Sequence, residues 1–162
     1  MSNITGTIKS IQDIMRKDVG VDGDAQRISQ MVWLIFLKIF DDKEQEWQLT
    51  VPGYQSPLPS RFRWSNWAKD PEGMTGEELI DFVNNDLFPY LAGFREAAAG
   101  PDTIEYKIGE IFTELTNRFR SGYILRDVLE IVDELRFNTQ AEKHELSDLY
   151  EQRIKRMGKQ MA

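Results

Sequence analysis

Cysteine is absent from the 162 residues, which excludes a disulfide framework and any zinc–thiolate site. Histidine occurs once, at His144. It has no second histidine and no glutamate at metal spacing, so a partly exposed helical position is expected for it and no metal ligand is assigned. Long hydrophobic runs are missing too. A helix that crosses a bilayer takes about 20 mostly apolar residues. The strongest candidate, "MVWLIFLKIF" at 31–40, is roughly half that length and contains Lys38. The opening "MSNITGTIKSIQDIM" has no basic region ahead of an apolar block, so no secretory signal is expected. A cytoplasmic protein without a membrane partner is the expectation. Positive charge is in short supply: 20 Lys and Arg stand against 27 Asp and Glu, a net charge of −7. Such a chain does not coat itself with nucleic acid non-specifically, and any contact with DNA must use a local basic patch. No phosphate-binding loop, dinucleotide fingerprint or nucleophile elbow occurs. No catalytic and no cofactor-binding residue is assigned.

What the chain does have is helical periodicity and aromatic mass: four Trp, nine Phe and five Tyr, enough for a real core in one domain of ordinary size. Ile4, Ile8, Ile11, Ile14 and Met15 recur at spacings of three and four and mark one helix face. "DVGVDGD" then breaks the chain, with Asp22 or Asp24 as the expected N-cap of a helix starting near Ala25. From Met31 to Phe40 that helix is apolar almost all round, which places it at the centre of a bundle. Its acidic continuation, Asp41, Asp42, Glu44 and Glu46, is expected to be a solvated face, with Lys38 and Asp42 paired at i,i+4.

Residues 50–73 hold four of the six prolines together with Tyr54, Phe62, Trp64 and Trp67. They predict a long ordered loop packed back by its rings, with a possible short strand at "RFRW". Thr75 to Glu78 reads as a capping box, followed by a stripe of Leu79, Ile80, Val83 and Leu87 that Pro89 should end. A short helix closed by Gly100 comes next. Ile104, Ile108, Ile111, Phe112 and Leu115 form a further stripe. Ser121 and Gly122 open a helix with Leu125, Val128, Leu129, Val132 and Leu135 inward. A last helix is expected from about Ala141, with Leu146, Leu149, Tyr150 and Ile154 on its face. The fold class is therefore all-α: a compact domain of about six to eight helices with one long Pro- and aromatic-rich loop.

"DVGVDGD" is a poor calcium loop. With Asp18 as first ligand, Gly20 falls at the third position and Ser29 at the twelfth, where a bidentate Glu is required. A turn with an N-cap is the better reading. Basic and aromatic residues interleave in "RFRWSNWAK" and "NRFRSGYILR". Arg61, Arg63 and Lys69 in the first, and Arg118, Arg120 and Arg126 in the second, are the candidate DNA-phosphate contacts. The second group flanks a helix start whose amides and dipole favour an anion. The competing reading pairs these arginines with acids such as Glu114 and Asp127. A further basic cluster, Arg153, Lys155, Arg156 and Lys159, suits a helix C-terminus.

The order of blocks "WLIFLKIFDDKEQEW", "PLPSRFRWSNWA", "NRFRSGYILRDVLEIVDELRF" and "ELSDLYEQRI" resembles the N-terminal helical domain of type I restriction–modification DNA methyltransferase subunits of the HsdM type. The resemblance runs from about Ile4 to Met157, so residues 1–162 are expected to be one helical N-terminal domain. It implies a parent protein that methylates the exocyclic amine of adenine with S-adenosylmethionine. The cofactor site and an Asn-Pro-Pro-Tyr/Phe motif would lie in an α/β domain downstream, which this chain stops short of. It also implies double-stranded DNA, a specificity subunit, a second modification subunit and the restriction subunit as partners. The alternative is a helical scaffold that binds protein and never touches nucleic acid.

Overall fold

A computed structural model describes residues 4–70, 72–97 and 100–135. The expected helix from Ala141, His144 and the basic cluster near Arg153 lie outside the described residues. Among the described residues there is no strand. Helix α1 (Ile4–Met15) buries Ile8, Ile11 and Met15, and α2 (Asp24–Thr50) is the long element. At 27 residues it is about 40 Å long. A 3₁₀ turn (Ser60–Phe62) leads into α3 (Trp64–Trp67). The short helix α4 (Gly76–Asp81) runs through a π-helical turn (Phe82–Leu87) into α5 (Phe88–Ala92), and α6 (Phe94–Ala97) follows. Helices α7 (Ile104–Glu114) and α8 (Gly122–Glu134) complete the bundle.

The middle of α2 is the hub, as its composition requires. Trp33 and Leu34 are fully buried. The Trp33 ring meets Phe88 of α5 edge-on at 5.0 Å and Phe112 of α7 at 6.5 Å. Phe88 and Phe112 also meet edge-on, at 4.8 Å, a geometry aromatic quadrupoles favour. One flank of the helix, Val32, Phe36 and Ile39, is only partly buried. Helix α8 lies against α1, α2 and α4 and buries Leu125, Val128, Leu129 and Val132.

Several local expectations need correction. The N-cap of α2 is Gly23, without a side-chain cap. Asp24 is the first helical residue, and its carboxylate accepts from the buried Arg27 at 2.7 Å. Thr75 does cap α4, but its side chain makes no capping hydrogen bond. Gly76 follows at φ +57, a left-handed conformation that suits glycine. The "RFRW" stretch is a 3₁₀ turn and a helix, not a strand. Phe62 N–H donates to Pro59 O at 2.9 Å and Arg63 N–H to Ser60 O at 3.2 Å. With no neighbouring strand to pair with, the backbone satisfies itself locally. Pro89 does not stop its helix. It sits where the π-helical turn passes into α5, a local break in the regular i→i−4 ladder that accommodates a residue without an N–H.

The long loop does pack back through its rings: Leu58, Phe62, Trp64 and Trp67 are all buried. The acidic end of α2 is the largest departure. Asp41 and Glu44 are buried, at 3% and 0% exposure, because the helical period turns them toward segment 54–65. Asp41 accepts from Gln45 at 2.8 Å and Ser65 at 3.3 Å. Glu44 accepts from the Tyr54 hydroxyl at 2.9 Å and stands 3.9 Å from Arg63. Lys38 pairs with Asp42 at 3.0 Å, as its spacing predicts, and also approaches Asp133 at 3.6 Å. Asp133 in turn accepts from the Trp64 indole at 2.9 Å. The acids thus weld the loop to the bundle.

Candidate nucleic-acid interface

The six basic candidates have four different fates. Arg126 is buried, at 4% exposure. Its guanidinium donates to three backbone carbonyls of the preceding connection: Met74 at 2.9 and 2.7 Å, Ala68 at 2.8 Å and Trp67 at 3.1 Å. Burial lowers its pKa, opposed by the charges of Glu130 and Asp70. This planar fork closes segment 67–74 and has no face left for phosphate, which removes Arg126 from the candidate patch. Arg63 is turned inward too, its side chain only 20% exposed, toward Glu44. Beside it, Tyr54 has its pKa pushed up from 10.0 to about 12, first by burial and then by its bond to the Glu44 carboxylate.

Arg61 stays on the surface but is engaged. It pairs with Asp86 at 2.8 Å and lies over the Phe62 ring at 4.7 Å. Such an exposed pair contributes roughly 0.2–1 kcal/mol, so a stronger ligand can displace it. Lys69, Arg118 and Arg120 are exposed. Among the described residues no carboxylate stands within salt-bridge distance of any of the three, and Glu114 and Asp127 do not pair with them.

Arg118 and Arg120 lie in segment 115–121, which has no regular secondary structure between α7 and α8. Exposure alternates along it from Thr116 to Arg120. Phe119, at 2% exposure, is the inward anchor between the two outward arginines. The segment is tied from below. Gln30, in the apolar helix, accepts from Arg118 N–H at 3.0 Å and donates to Thr116 O at 2.9 Å. The same Gln30 oxygen accepts from the Trp33 indole at 2.8 Å. Asp18 accepts from Arg120 N–H at 2.9 Å, Ser121 N–H at 2.8 Å and Gly20 N–H at 2.8 Å. The α8 start is capped by Ser121, which accepts from Ile124 N–H at 3.2 Å. The amides just ahead of α8 are therefore filled by an internal carboxylate. The amides of Arg120, Ser121 and Ile124 are thus taken by protein acceptors, which leaves the exposed Arg118 and Arg120 side chains as the candidate anion contacts here. Asp18 itself has its lone pairs on peptide N–H groups, as the rejected calcium reading requires of a turn residue.

The π-helical turn joins the two basic stretches. Asn84 accepts from Asn117 at 2.9 Å, and Asp86, two residues on, accepts from Arg61. Arg61 and the Arg118–Arg120 segment thus border one polar ridge. Gly122 allows this side to close up: a Cβ there would lie 1.8 Å from the Gly76 carbonyl oxygen. Gln30 and Asn117 escaped the sequence reading, and Asp18 entered it only as the first position of a rejected calcium loop. The only signal was a lone amide, Gln30, at the edge of a run of apolar residues.

Comparison with known proteins agrees with the helical architecture. Residues 4–131 match the family described as HsdM N-terminal domain. The chain is 45% identical over 150 residues to the type I restriction enzyme EcoEI methylase subunit of Escherichia coli, covering 93% of this chain and 30% of that protein. A crystal structure of a modification subunit of a putative type I restriction enzyme from Vibrio vulnificus YJ016 superposes with a TM-score of 0.79 at 36% identity, covering 94% of this chain and 34% of that one. A chain from a structural study of complex assembly and conformational transition of the type I R-M system gives 0.72 at 32% identity, covering 95% and 30%. The chain thus spans about a third of the length of these relatives.

Proposed function

The chain belongs to the HsdM N-terminal domain family, and from that premise we propose that it is the DNA-facing scaffold of a type I modification subunit. Residues 1–162 form its helical N-terminal domain, and the parent protein carries the methyltransferase domain in the remainder of its length. That domain transfers a methyl group from S-adenosylmethionine to the exocyclic amine of adenine in double-stranded DNA. The reading includes a cytoplasmic complex with a specificity subunit, a second modification subunit and the restriction subunit. Base recognition belongs to the specificity subunit in this arrangement. The present domain supplies phosphate contacts, which fix position without reading sequence.

The observation that carries the reading is the pair Arg118 and Arg120: exposed, without an acidic partner among the described residues, and mounted on a pinned backbone. Lys69 and Arg61 extend the patch. In the assembled enzyme, Arg118→Ala and Arg120→Ala should each weaken binding about equally on cognate and non-cognate duplexes. Each should flatten the slope of log affinity against log salt by roughly one unit. Slopes unaltered in both variants would remove DNA from the role of this domain and leave a scaffold for protein partners.

A further inference from the structure

Segment 115–121 carries the two best-placed arginines, yet it has no regular hydrogen bonding of its own. Its backbone is held by groups that lie elsewhere in sequence and that meet it beside each arginine. The Arg118 N–H is taken by Gln30. The Arg118 carbonyl rests against Gly20, where a Cβ would stand 1.8 Å from it. The Arg120 N–H is taken by Asp18. Both side chains are interior, Gln30 at 1% and Asp18 at 2% exposure, and the Asp18 carboxylate accepts from backbone amides of this segment and of its own turn. Asn117 adds a local tie, accepting from Phe119 N–H at 3.0 Å.

A phosphate contact made from a mobile loop must order backbone and side chain together. One made from a fixed backbone orders the side chain alone. Resting on the reading that Arg118 and Arg120 contact DNA phosphates, we infer that Asp18 and Gln30 are positioning residues for DNA binding. They hold the segment in the conformation the complex uses, so that binding does not have to order it.

This role makes a demand that a purely structural role does not. Loss of a phosphate contact lowers the number of counterions released and changes the salt slope. Loss of positioning lowers affinity while the same contacts still form, so the slope stays. The test uses the full-length subunit in its complete complex, with cognate duplex binding followed over a salt series and melting followed alongside. Asp18→Asn puts an amide donor where a second acceptor stood, and Gln30→Met keeps the volume while removing both bonds to the segment. Each should bind about tenfold more weakly at every salt concentration, with the wild-type slope. Arg120→Ala should flatten the slope by about one unit. Folded variants that bind like wild type overturn the inference. Should neither variant fold, hydrogen exchange in the unaltered protein decides. The amides of Arg118, Arg120 and Ser121 should be protected before DNA is added and gain little from it. Amides that exchange freely until DNA arrives overturn the inference. The reading beneath it fails separately, when Arg118→Ala and Arg120→Ala both leave the slope unchanged.

Discussion

Arg126→Met keeps an apolar stem of similar length and removes the guanidinium, so it isolates the fork that closes segment 67–74. The carbonyls of Trp67, Ala68 and Met74 would lose their donor together. A buried polar group left unsatisfied costs about 1–3 kcal/mol, so three bound the effect at about 3–9 kcal/mol. Two features pull the figure to the low end. Lys69, Asp70 and Glu72 are exposed, so water can reach part of this segment once it loosens. The variant also no longer buries a charge, a burden visible in the lowered pKa of Arg126. We expect a loss of about 3 kcal/mol, which is about 10 °C in melting temperature for a domain of this size. Urea and thermal unfolding followed by circular dichroism would measure it. Arg126→Lys should recover little, because a single ammonium cannot reproduce a planar fork across three acceptors. A variant that melts with wild type while flattening the salt slope for DNA would refute this reasoning, and would return Arg126 to the surface patch.

Trp33→Ala should cost about 3–5 kcal/mol, the range for large aromatic truncations in a packed core; an unchanged unfolding midpoint would show that α2 is not the hub. The Tyr54 pKa is raised from 10.0 to about 12, so its proton contributes stability that is complete below pH 10 and is lost as pH rises toward 12; Tyr54→Phe should flatten the stability profile across that window, and a profile as steep as wild type would exclude Tyr54 as its source. Calorimetric titration of the 162-residue chain with S-adenosylmethionine should give no saturable heat, and micromolar binding would contradict placing the cofactor site in the remainder of the parent protein.

The apolar spacing announced most of this fold because each buried stripe is a local property. The faces of α1, α7 and α8 follow from residues three and four apart, and the Trp33 helix from its lack of any polar side. What escaped depends on residues far apart in the chain. Asp41 and Glu44 read as a solvated helix end, since nothing nearby shows that segment 54–65 folds over them. Arg126 looked like its neighbours Arg118 and Arg120, yet one turn of α8 carries it from the surface to the interior, where segment 67–74 waits with three carbonyls. The capping box at Thr75 was a correct boundary with the wrong chemistry: a left-handed Gly76 carries the start of the helix without help from the hydroxyl. For the candidate site, two exposed arginines were legible as composition. Their posture was not, because Asp18 and Gln30 stand roughly a hundred positions away.

A net charge of −7 works against DNA unless the acids are kept from the arginines that should meet it. For Arg118 and Arg120 the structure does so by giving nearby acids other partners, whereas Arg61 keeps its pair with Asp86 and Arg63 turns toward Glu44. Asp41 and Glu44 face a serine, an amide and a tyrosine, and Asp42 faces Lys38. Asp18 is the telling case, since it lies directly beneath Arg120. Had it paired with the guanidinium, the arginine would be both neutralised and folded down onto the domain. It binds the peptide N–H of Arg120 instead. One carboxylate therefore fixes the backbone of the segment while leaving the cation of the same residue facing outward. A carboxylate satisfied by backbone amides also needs no counter-charge nearby. Buried acid and exposed base thus coexist within one residue's length, and an acidic domain keeps a local basic face.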